Sequence, residues 1–210
     1  MRHAKRLLLF SLLLPLTLLG QTTTITPSGP SSVTAGNPVT LSIGMTGSNG
    51  QNIAALQFSL TLPAGFTIGT PVLASGIPAG NVAYEGGTGN TFIVAGSTTA
   101  MTDGAVLTVP ITIASTAATG AMTIPITAGS VFAATTGGLN VNGMTPGTPY
   151  SLTVFSPCDL NQDGKVNVLD IQLVVAAILG TGTCTVPGGC NIVTVQDVVI
   201  AALGGSCKVP

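Results

Sequence analysis

The 210-residue chain has no tryptophan, one histidine and only 5% charged residues, and each shortage removes a class of function. Five basic side chains cannot build the Lys/Arg patch that tracks a phosphate backbone, and three of them, Arg2, Lys5 and Arg6, precede residue 7. Nucleic acid is excluded as a partner. Met1 to Arg6 is basic, and Leu7 to Leu19 is an apolar run of 13 residues reaching the small residue Gly20. This is the pattern of a secretory signal peptide cleaved near Gly20, and the run is shorter than the ~20 residues that span a bilayer. Export would leave a secreted, extracellular bacterial protein with no membrane span. Cleavage would also take away His3, and with it Ser/His/Asp and Cys/His catalysis and any imidazole-ligated metal site. Beyond residue 20, Lys165 and Lys208 face Glu85, Asp103, Asp159, Asp163, Asp170 and Asp197, a mildly acidic and nearly uncharged chain.

Composition divides what remains. Gln21 to Phe155 has no Cys, Lys or Arg and two acids, whereas Cys158 to Cys207 holds all four cysteines and four acids. Two modules are expected, 21–155 and 158–210, joined by the short linker 156–157, where Pro157 cannot continue a strand ladder.

Period-two alternation dominates the first module: Val39, Leu41, Ile43 and Met45, then Leu56, Phe58, Leu60 and Leu62, then Leu107, Val109, Ile111 and Ile113. Turn signals such as Ser48-Asn49-Gly50, Pro63-Ala64-Gly65 and Asp103-Gly104 separate these runs. With further runs at Thr91 to Ala95, Ala121 to Phe132 and Ser151 to Phe155, the pattern predicts a mainly β fold, an antiparallel β-sandwich of eight or nine strands. The order of a Val33 to Asn37 turn, the alternating strand Ala55 to Leu62 and a long strand opening at Gly104 resembles the cohesin-like modules of secreted bacterial proteins. The resemblance covers roughly residues 24 to 155 and implies a jelly-roll sandwich that binds protein.

The second module opens with Asp159-Leu160-Asn161-Gln162-Asp163-Gly164-Lys165-Val166-Asn167-Val168-Leu169-Asp170. Oxygen-bearing side chains Asp159, Asn161, Asp163, Asn167 and Asp170 fall at positions 1, 3, 5, 9 and 12 of a calcium loop, and Gly164 falls at the sharp bend. A hard divalent cation takes about six to eight oxygens, and alternate side chains pointing inward from such a loop supply them, with Lys165 adding its backbone carbonyl. An apolar helix is expected from Ile171 to Leu179, ending at Gly180.

A calcium loop followed by one helix looks like half of a dockerin, a module built from two such units. A second copy lies 24 residues further on, with Asn167, Gln172, Val174, Val175, Ala177, Leu179 and Gly180 repeated as Asn191, Gln196, Val198, Val199, Ala201, Leu203 and Gly204. The repeats span 158–180 and 182–204, the second helix being expected over Val195 to Leu203. The second loop has lost its ligands, because Thr183, Thr185, Pro187 and Thr194 stand where Asp159, Asn161, Asp163 and Asp170 stand in the first. One calcium ion per chain follows.

Four cysteines allow three pairings. The favoured one joins Cys184 to Cys190, closing the second loop, and Cys158 to Cys207, clasping the ends of a module too small to rely on its core.

An enzyme reading has little to stand on. A glycosidase needs two carboxylates flanking a sugar bond, and the sandwich offers only Glu85 and Asp103, both preceding glycine in turn-like sequence. No catalytic residue is expected. The leading expectation is a noncatalytic scaffold or adhesion protein mediating calcium-dependent assembly, possessing a partner with a cohesin or dockerin module or associating with itself. The dockerin resemblance implies an extracellular polysaccharide-degrading setting. The runner-up is direct carbohydrate binding, set back because the aromatics Tyr84, Tyr150, Phe58, Phe66, Phe92, Phe132 and Phe155 mostly fall in strand patterns that favour the core. The helix Ile171 to Leu179 is apolar on nearly every face, so the second helix and sandwich, or a partner, must cover it.

Overall fold

The long alternating runs become the central strands of the computed structural model, which describes residues 22–86, 90–186 and 188–208. The expected signal peptide, and Pro187 of the second loop, lie outside the described residues. Numbered along the chain, one sheet has the order β12 (Met144–Pro146), β1 (Thr23–Ser28), β3 (Pro38–Thr46), β9 (Gly104–Ile113) and β5 (Phe66–Ile68), with β6 (Val72–Leu73) also on β9. A second has the order β11 (Phe132–Thr135), β4 (Ile53–Ser59), β8 (Thr91–Ala95) and β7 (Val82–Gly86). A third has the order β10 (Gly120–Ile124), β13 (Tyr150–Phe155) and β2 (Ser32–Thr34).

Two expectations need correction. Thirteen strands are present among the described residues, not eight or nine, and β1 with β12 and β13 with β2 pair in parallel. The extra strands are two or three residues long, too short to carry a period. The single run expected over Ala121 to Phe132 is two strands, because Pro125 interrupts it and Gly129 turns the chain with φ +73. Pro110 leaves a comparable mark. It has no N–H to offer, and the outer partner of β9 is divided there into β6, opposite Leu107 and Thr108, and β5, opposite Ile111 to Ile113.

Inward residues of all three sheets meet in one core, including Ile25, Leu41, Ile43 and Ile111 from the first, Leu56, Phe58, Phe92 and Val94 from the second, and Ile124, Leu152 and Val154 from the third. Phe58 and Phe92 are register partners on β4 and β8, and their rings stack with centroids 5.3 Å apart. Phe58→Ala would leave a cavity under that pair and is expected to destabilise the sandwich by about 4 kcal/mol, read as a fall in the midpoint of thermal or urea unfolding.

Two helices follow the sandwich. They are α1 (Val168–Ile178) and α2 (Ile192–Ala202), and each starts three residues before the expected position. The cause is the cap: Asn167 and Asn191, in extended conformation, accept the N–H groups of Leu169 and Val193 and nucleate the helix there. Leu179 and Leu203 become C-caps, followed by Gly180 and Gly204 at positive φ. The sequence repeat is thus a structural repeat, with Asp170 and Val174 buried in α1 and Thr194 and Val198 at the matching places in α2. A small second core, Cys158, Val174, Val186 and Val198, lies beneath the pair. Among the described residues no helix is long and apolar enough to cross a membrane.

Candidate functional site

The loop before α1 is wound around its own acids. Gln162 (φ +57) and Gly164 (φ +86) are both left-handed, the bend a loop of this length requires. The two oxygens of Asp159 accept the N–H groups of Asp163 at 3.2 Å and Gly164 at 2.9 Å. Asn161 Oδ1 accepts the Asp163 N–H at 3.1 Å, and Asp163 Oδ1 accepts the Lys165 N–H at 2.9 Å. Asn161 Nδ2 also donates to Asp163 Oδ2 at 3.0 Å. Asp170, in the first turn of α1, reaches back. Its Oδ1 accepts the N–H groups of Leu160 and Asn161, and its Oδ2 that of Asn167.

Asp159 and Asp170 are buried, whereas Asn161, Asp163 and Lys165 are exposed. Burial pushes the Asp159 carboxyl above the usual carboxylate range against the Gly164 and Asp163 hydrogen bonds, and the charges of Asp170 and Asp163 push the same way. Acids crowded so that their charges oppose one another form an arrangement that a divalent cation would relieve. The donors are hard oxygens, as such a cation takes. Among the described residues no three acidic, thiol or imidazole side chains form a metal-ready group on their own. Any ion here would draw on the Asn161 amide and the Lys165 carbonyl as well as the acids. Asn167 is engaged elsewhere, its Oδ1 capping α1 through the Leu169 N–H at 2.8 Å.

The second loop keeps the scaffold without the acids. Thr194 stands where Asp170 does, and its hydroxyl accepts the Asn191 N–H at 3.2 Å and donates to the Gly189 carbonyl at 3.1 Å. Cys184 is joined to Cys190 across this loop, and Cys158 to Cys207 across the whole helical segment, with Cα atoms 5.7 and 5.9 Å apart.

The two acids of the sandwich sit on different elements. Asp103 accepts the N–H groups of Gly47 and Ser48 at 2.9 and 3.0 Å and so holds the turn between β3 and β4. The Ser48 side chain leads in holding its carboxyl below the usual range, with those two backbone N–H groups adding to it and desolvation opposing. A depressed acid stabilises above its unfolded value and loses that contribution as pH falls through its folded value. In a carboxyl NMR titration Asp103 is therefore expected to titrate below 3.8, and Ser48→Ala is expected to raise it. Glu85 lies exposed on β7.

Sequence reading missed an exposed sheet face. Register places Phe132, Gln57, Ile93 and Tyr84 in one row across β11, β4, β8 and β7. Tyr84 is 61% exposed and Phe132 52%, so the expectation that the aromatics mostly lie in the core is corrected for these two. Phe58, Phe66, Phe92 and Tyr150 are buried. Both exposed rings lie on the outermost strands of their sheet, where alternation alone cannot tell which face is covered. Val82 shares that face with Tyr84 and is exposed with it. The helices are similarly bare. Leu169, Leu173, Val175 and Ile178 of α1 and Ile192, Val193 and Ile200 of α2 remain exposed, as does Leu203 at 84%. Neither the second helix nor the sandwich covers them.

No known family model matches the chain, and no curated protein matches it. Solved structures match its fold. The seventh ScaB type I cohesin from Pseudobacteroides cellulosolvens aligns with a TM-score of 0.52 at 17% identity, over 64% of this chain and 93% of that one. The cohesin module of a family 33 glycoside hydrolase from Clostridium perfringens aligns with a TM-score of 0.50 at 13% identity, over 64% and 97%. The class the fold defines is therefore a cohesin-like β-sandwich. In this chain a disulfide-bonded pair of repeated helices follows it.

Proposed function

We propose that this is a noncatalytic secreted assembly protein that docks other proteins in trans, its helical module being dockerin-like and stabilised by one calcium ion. The observation that carries the reading is the apolar surface of α1 and α2, which the chain itself leaves bare. Exposed apolar patches of this kind mark interaction surfaces. The row of Phe132, Gln57, Ile93 and Tyr84 is uncharged, and it offers a second surface of similar character on the sandwich. A chain with both faces can bind a protein carrying a cohesin or dockerin module, or another copy of itself head to tail. The two disulfides suit an oxidising compartment outside the cytoplasm.

Calcium would be held by Asp159, Asn161, Asp163, Asp170 and the Lys165 carbonyl, with Asn167 on the rim of the site. When bound, it supplies charge neutralisation and adds its binding free energy to the stability of the fold. Asp159 and Asp170 tie the start of the loop to the start of α1, Gly164 permits the bend, and Asn167 sets where the helix begins.

Sedimentation velocity over a range of protein concentrations in calcium tests the docking reading. A rising apparent mass is expected, and the double variant Tyr84→Ala, Phe132→Ala is expected to weaken association at least tenfold with the fold intact. A species that stays monomeric, and that cohesin-bearing and dockerin-bearing proteins both fail to bind, would overturn it. The same exposed rings favour a second reading, a sugar-binding platform on the sheet. Retention on an insoluble polysaccharide, lost in that double variant, would select it.

A further inference from the structure

The loop that carries the acids also touches the sandwich. Gln162, at the fourth loop position, supplies none of the oxygens assigned to calcium, yet its side-chain amide donates to Thr34 Oγ1 at the end of β2 at 3.3 Å. Asp159 and Gly164 line a cleft of about 380 Å³ together with Gly120 of β10 and Thr153 and Phe155 of β13. The connection is not a free tether. Pro157, Cys158 and Asp159 are buried, the Asp159 N–H donates to the Ser156 carbonyl at 3.0 Å, and the Phe155 carbonyl accepts the Ala35 N–H at 2.9 Å.

We propose that this loop is the joint between the sandwich and the helical module, and that a divalent cation sets it. The inference rests on the calcium reading of the loop. Gln162 lies between Asn161 and Asp163, so an ion that fixes those two fixes the backbone from which the Gln162 amide reaches Thr34. Without the ion, the acids repel one another and Gln162 must hold a left-handed conformation that non-glycine residues avoid. A single neutral hydrogen bond does not outweigh the entropy of ordering the loop. Ion binding therefore locks the helical module onto the ends of β2 and β13, and ion removal frees it. The locked arrangement fixes the direction in which the bare helix face points relative to the sheet face.

The test is NMR of the oxidised, chelator-stripped full chain titrated with calcium alone. The Gly164 amide reports the loop, and the Thr34 and Thr153 amides report the sandwich side of the joint. All three are expected to shift with one midpoint, and ¹⁵N relaxation is expected to give a single correlation time for both modules in calcium and a shorter one for the helices in chelator. Gln162→Asn tolerates the left-handed backbone but is too short to reach Thr34. It is expected to keep the Gly164 response and lose those of Thr34 and Thr153, along with common tumbling. Shifts confined to Gly164 in the wild-type chain, or common tumbling already present in chelator, would overturn the joint. A Gly164 amide that ignores calcium would overturn the calcium reading itself, and the joint with it.

Discussion

Replacing Asp170 by alanine is expected to remove calcium binding and to melt the first helical repeat. The side chain is fully buried and accepts three backbone N–H groups, from Leu160, Asn161 and Asn167. Alanine orphans all three donors at once and removes the acid from the first turn of α1. The expected loss is about 3 kcal/mol, from stranded buried donors and a broken helix cap. Asp170→Asn keeps one carbonyl oxygen as acceptor and should cost less, while still weakening the ion site through loss of charge. Thr194→Ala is the internal control. Thr194 occupies the same place in the second repeat but makes two ordinary hydroxyl hydrogen bonds, so about 1 kcal/mol and unchanged calcium uptake are expected. Thermal unfolding followed by far-ultraviolet circular dichroism reads the helices directly, and a calcium titration of each variant reads the site.

The second large effect concerns the Cys158–Cys207 bridge, which closes a span of 49 residues against 6 for Cys184–Cys190. In the chain-entropy account, the longer loop restricts the unfolded state by about 4 kcal/mol and the shorter by about 2 kcal/mol. Cys158 is also fully buried in the small core with Val174, Val186 and Val198. The double variant Cys158→Ser, Cys207→Ser is therefore expected to leave the helices unfolded in chelator and at least partly restored by calcium. The variant Cys184→Ser, Cys190→Ser should keep them folded in both conditions. Urea titrations of the two variants, with and without calcium, give the comparison. Equal losses would contradict the ranking.

The long strands were legible because alternation in runs such as Val39 to Met45 and Leu107 to Ile113 reflects one buried face. The two- and three-residue strands β2, β5, β6 and β12 were not, since pairing places them and no periodicity encodes them. Helix starts were misread by one turn because an apolar run shows where a helix packs, whereas Asn167 and Asn191 decide where it begins. That Asp170, in the first turn of α1, lies against the loop that Asp159 opens could be read from spacing, because twelve consecutive residues are a local matter. The exposure of Tyr84 and Phe132 could not. It depends on β7 and β11 lying at the margins of their sheet, a fact about topology. The Gln162 to Thr34 contact joins residues 128 apart, and nothing local announces it.

Calcium uptake and assembly are tested together in one sample. Calcium is titrated calorimetrically into the chelator-stripped, oxidised protein, and the same sample is then examined by light scattering with and without the ion. The prediction is one ion per chain, abolished by Asp159→Ala, and an increase in mass when calcium is present. Failure to take up calcium, or uptake of two ions, would contradict the one-loop reading. Uptake of one ion with no change in mass, and no binding to either a cohesin-bearing or a dockerin-bearing protein, would contradict assembly as the function.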